Sequence, residues 1–93
     1  MGKIKTVEII VRGDIIEKNL ILKFANRLSE SKLQADFSST IAVPPFLKAV
    51  EKRYPSLAVL YGTVDIEDLF PLKALVEGMC SEEECTIISF TEL

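Results

Sequence analysis

The sequence predicts one small α/β domain built on a four-stranded sheet, with elements in the order β-α-β-α-β-α-β. Three observations carry that expectation. Val7-Glu8-Ile9-Ile10-Val11 is β-branched apart from Glu8, which suits a half-buried or buried strand. Apolar residues then recur at helical spacing from Ile15 to about Ser31. Strand-like and helix-like stretches alternate from there onward, as in layered α/β folds. The chain has 93 residues, 48% of them apolar and 27% charged, so residues 1–93 read as a single globular domain. That apolar content is high for so short a chain and predicts some exposed apolar surface.

The first strand runs into Gly13, which reads as a hinge. Asp14 stands where a helix N-cap belongs, and Glu17 three residues on completes a pattern like a capping box. Leu20, Ile21, Phe24, Ala25 and Leu28 form the apolar stripe of the helix. Ile15 and Leu22 fall outside it, on the polar side and one heptad apart. A neighbouring segment could cover them; the functional reading is a partner-facing ridge. The strand-Gly-helix junction lacks a phosphate-binding pattern, and Asp14 at the helix mouth would repel a phosphate.

Ala35 to Val43 alternates in polarity and reads as a strand with one wet face, near a sheet edge. Pro44-Pro45 ends it, and Pro45 suits the first position of a short helix closed by Pro55. Leu57 to Tyr61 is a continuous apolar run closed by Gly62, expected to be a central strand covered on both faces. Asp65 to Asp68 forms an acidic turn. The last helix is expected to start near Pro71 and to place Leu72, Leu75, Val76 and Met79 on one face, with Gly78 as terminator. Thr86 to Phe90 is the last strand. A competing arrangement treats the short middle helix as a loop. It leaves β-α-β-β-α-β, an α+β ferredoxin-like plait with antiparallel neighbours. The wet-faced second strand favours the plait, and the apolar third strand favours the parallel sheet.

The chain contains no histidine, which removes the usual general base and the commonest metal ligand. It also excludes Ser-His-Asp and Cys-His nucleophiles within the chain. Cys80 and Cys85 bracket the acidic stretch Ser81-Glu82-Glu83-Glu84. They could form a regulatory disulfide, or half of a soft-metal site completed by Glu82 or Glu84. The plainer reading packs both as small apolar residues. Asp65, Glu67 and Asp68 could hold a divalent cation or perform acid/base work. Alternatively, Asp65 caps a helical turn whose dipole the other two complement. Lys48, Lys52 and Arg53 make a small basic patch, read as a solvated helix face because Glu51 interrupts it. Phe37, Tyr61 and Phe90 are expected in the core.

The net charge of −3 supplies no basic field for nucleic acid. No apolar run reaches the length of a membrane span, and no signal-peptide pattern opens the chain, so a cytoplasmic protein is the default. These features together favour a non-enzymatic protein-interaction or oligomerisation module. It would need no cofactor and would bind another protein or its own copy through Ile15 and Leu22. The alternative is a small-ligand or metal-binding protein, possible enzymes included, working through Asp65–Asp68 or the Cys80/Cys85 loop.

Overall fold

A computed structural model of the chain describes residues 3–42 and 56–93. The elements are β1 (Ile4–Gly13), α1 (Leu20–Glu30), β2 (Ala35–Ala42), β3 (Ser56–Asp65), a 3-10 turn (Ile66–Asp68), α2 (Leu69–Glu83) and β4 (Thr86–Glu92). The strands form one sheet in the order β2-β3-β1-β4, and every neighbouring pair is antiparallel. Among the described residues the arrangement is therefore α+β, a four-stranded antiparallel sheet with two helices. The sheet is antiparallel throughout, not the parallel sheet that the apolar third strand favours. The short middle helix expected from the sequence, with Lys48, Lys52 and Arg53, falls outside the described residues.

Two adjacent central strands supply the sheet's share of the core. Val7, Ile9 and Val11 of β1 alternate inward, as do Ala58, Leu60 and Val64 of β3. Leu20 and Phe24 of α1 and Leu72, Val76, Met79 and Cys80 of α2 close over them in a single buried cluster. Both helices thus lie on one side of the sheet. The run Leu57–Tyr61 was expected to be covered on both faces. Instead its residues divide by parity, with Leu57, Val59 and Tyr61 turned away from the helices.

Helix α1 starts at Leu20, five residues later than the periodicity predicts. A separate turn precedes it, in which the Lys18 N–H donates to the Asp14 carbonyl at 3.2 Å and the Leu20 N–H to the Ile15 carbonyl at 3.0 Å. Asn19 then takes a left-handed backbone (φ 52, ψ 49), which asparagine tolerates better than most residues. Asp14 therefore contributes its carbonyl and does not cap α1 with its carboxylate. The left-handed step separates that turn from α1, and Ile15 within the turn is buried in the core.

Gly62 lies in the interior of β3 and does not close it. A methyl group there would lie 2.7 Å from the Phe37 Cα and 2.8 Å from its Cγ, and would strike the Asp36 carbonyl. The close approach lets the Phe37 ring lie over β3 and meet Phe24 edge-on, with centroids 5.9 Å apart at 79°. Helix α2 starts two residues before Pro71, whose missing N–H falls in the first turn, where no intrahelical bond is required. It also passes through Gly78 and ends at Glu84, which takes the left-handed conformation (φ 57, ψ 39).

Candidate functional site

Alternation along an antiparallel sheet sends every second side chain to the side away from the helices. Register places Glu8 beside Tyr61, Ile10 beside Val59 and Arg12 beside Leu57 on the two central strands. The rows continue onto β2 as Ser38, Thr40 and Ala42. On β4 they continue as Thr91 beside Glu8 and Ser89 beside Ile10. The centre of this face is apolar, made by Ile10, Leu57, Val59 and the ring of Tyr61, which is 48% exposed. Hydroxyl side chains border it on both outer strands. Among the described residues no element covers the face. Glu8 and Arg12 stand symmetrically about Ile10 on one strand, and neither is in an ion pair among the described residues.

The structure separates the residues singled out in the sequence. Ile15 is 1% exposed and belongs to the core, while Leu22 is 52% exposed on α1. The two do not form a shared ridge. The periodicity placed them together only by treating residues 15–19 as part of one regular helix. Tyr61 is also not a core residue, whereas Phe37 and Phe90 pack against the core.

Two carboxylates of the acidic turn, Asp65 and Asp68, are engaged by backbone amides. Asp65 Oδ1 accepts from the Glu67 N–H at 2.9 Å, capping the 3-10 turn. Asp68 Oδ2 accepts from the Gln34 N–H at 2.9 Å and ties the turn to the start of β2. Glu67 is exposed. Among the described residues no three Cys, Asp or Glu side chains converge as a metal cluster. Cys80 and Cys85 do come together, both as free thiols, at the junction of α2 and β4. Burial first, and then the neighbouring Cys85 thiol, push the Cys80 thiol up to about 12.

An open groove of about 340 Å³ lies between α1 and β2, with Phe24, Leu28, Leu33 and Phe37 among its walls and Lys32 and Asp36 at its polar margin. No polar group there is buried and unpartnered among the described residues. The outward apolar row is not legible in the sequence, whose one signal for it is the high apolar content, because a strand covered on both sides and a strand covered on one side by the helices can have the same composition.

Among the described residues the chain is a small α+β domain whose antiparallel sheet carries both helices on one side. Its fold is similar to that of a DUF3240 family protein from Shewanella baltica OS155, known from a crystal structure. The TM-score is 0.59 at 9% identity, over 96% of this chain and 89% of that one. At that identity the likeness concerns the fold alone. No family model and no curated protein matches the chain. Among the described residues, no helix is long and apolar enough to cross a membrane.

Proposed function

We propose that this chain is a non-enzymatic self-association module and that the open sheet face receives a second copy of the chain. The observation that carries this reading is the face's self-complementary pattern. An isologous pair places the same patch on both subunits, so each contact occurs twice. With a two-fold axis through Ile10, β1 of one copy crosses β1 of the other in the opposite direction. Glu8 of each copy then faces Arg12 of its partner and Tyr61 faces Leu57, while Ile10 and Val59 meet their own counterparts in the middle. Face-to-face sheets pack about 10 Å apart with strands within about 30° of alignment. At that separation the long Glu8 and Arg12 side chains can meet across the interface. An apolar centre with a hydroxyl rim is also the usual anatomy of a protein interface.

Charge reversal gives the test. Arg12→Glu sets like charges opposite one another at both ends of the pair, and should weaken association by more than about tenfold. The double variant Glu8→Arg with Arg12→Glu restores opposite charges and should recover it. Sedimentation of the three proteins, with circular dichroism to check folding, reads the outcome. A parent chain that stays monomeric across the accessible concentration range would refute the reading. So would a double variant as weak as the single one.

A further inference from the structure

Helix α2 ends in a Schellman-type closure. The N–H groups of Glu84 and Cys85 both return to the Cys80 carbonyl, the second at 3.0 Å. In that motif the residues at the two ends of the longer bond are brought into side-chain contact, most often as a pair of hydrophobic residues. Here both are cysteines. Cys80 is 5% exposed within the core cluster, and Cys85 is half-buried against it. Gly13 of β1 presses on Cys85 from behind. A methyl group at Gly13 would lie 2.7 Å from the Cys85 Cβ, so only glycine leaves Cys85 room at this position.

We propose that Cys80 and Cys85 are a closable dithiol, oxidised by exchange with a small-molecule disulfide. The contact follows from backbone geometry, so the helix end need not unwind for the bond to form. Differences in exposure assign the order of events. The Cys85 thiolate attacks one sulfur of the external disulfide, forming a mixed disulfide and expelling one thiolate. Cys80, the buried and weakly acidic partner, then gives up its proton and attacks the Cys85 sulfur, expelling the second thiolate. The sum is two cysteine thiols plus one disulfide giving one internal disulfide plus two small thiols. The two electrons lost by the cysteines reduce the external disulfide. The product fastens the end of α2 to the start of β4.

The test uses the folded full chain incubated with oxidised glutathione, alkylated without reductant and weighed intact. The expected result is the loss of two hydrogens, no alkyl label, and a Cys80–Cys85 link in the digest. The Cys80→Ala variant should instead retain glutathione on Cys85, identifying the attacking thiol in a protein that cannot close. Three results in the unchanged chain would each overturn the proposal: both thiols fully alkylated, glutathione remaining on Cys85, or a link formed only after urea denaturation.

Discussion

Gly62 occupies the one position on β3 where the neighbouring strand comes too close for any side chain. The Phe37 Cα and Cγ stand 2.7 and 2.8 Å from where a methyl group would go. Neither can retreat easily, because one is backbone and the other leads into a ring locked edge-on against Phe24. Gly62→Ala should therefore cost about 3 kcal/mol, the upper end of ordinary overpacking. Urea unfolding would measure it, and a loss below about 1 kcal/mol would show that β2 shifts freely. The same substitution at Gly78 meets no atom within 4 Å, so it makes a size-matched control. At this scale the sequence was partly legible. Alternation placed Phe37 on the inner face of its strand, but no local signal tells a glycine under a ring from a glycine ending a strand. Ile15 carries the same lesson. It is buried in a turn that the left-handed Asn19 sets apart from α1, and an asparagine at that position would equally suit a regular helix surface.

Helices α1 and α2 are held side by side at their polar margins as well as through the core. Lys23 Nζ sits 2.6 Å from Glu83 Oε1, and Lys18 Nζ donates to the Glu83 carbonyl at 2.7 Å. Arg27 pairs with Glu82 beside them. The hydrogen bond from Lys23, aided by the charges of Lys23, Lys18 and Arg27, holds the Glu83 carboxyl below the usual carboxylate range. A folded-state value lowered in this way stabilises the protein fully above the unfolded value. The contribution fades as pH falls through the folded value. Glu83→Gln should therefore lower stability at neutral pH and leave it unchanged in strong acid, flattening the acid limb of the curve. Thermal unfolding across that range would test this, and parallel curves for parent and variant would rule it out. The two helices and four strands were legible as elements. Two boundaries were not, and both involve non-glycine residues in left-handed conformations, Asn19 and Glu84. In the sequence Gly78 reads as a stop signal, which also hides the helix-end geometry that joins Cys80 to Cys85.

For the whole molecule, the decisive quantity is how many faces of the sheet the helices cover. Strand β3 could not reveal it. Leu57 to Tyr61 is apolar at every position, as a strand between two helix layers would be, yet three of those five side chains face away from the helices. The wet-faced pattern of β2 was the better guide, because an edge strand in a one-sided sheet must alternate. The charge pattern on β1 acquires meaning only once register is known. Glu8 and Arg12 look like scattered polar residues in sequence, but they flank the centre of an apolar patch in the sheet.

One irregularity sets a limit on how copies of this chain can add together. The register between β1 and β4 slips between Ile10 and Val11, leaving Ile88 as an extra residue, 52% exposed, on an outer strand. Outer strands with evenly spaced free amides are templates for endless strand addition, and a bulge spoils the spacing. A bulge of this kind is therefore expected to disfavour strand addition at the β4 edge. Deleting Ile88 should restore an even ladder and make heated samples bind thioflavin. A deletion variant as soluble and as dye-silent as its parent would show that the guard lies elsewhere.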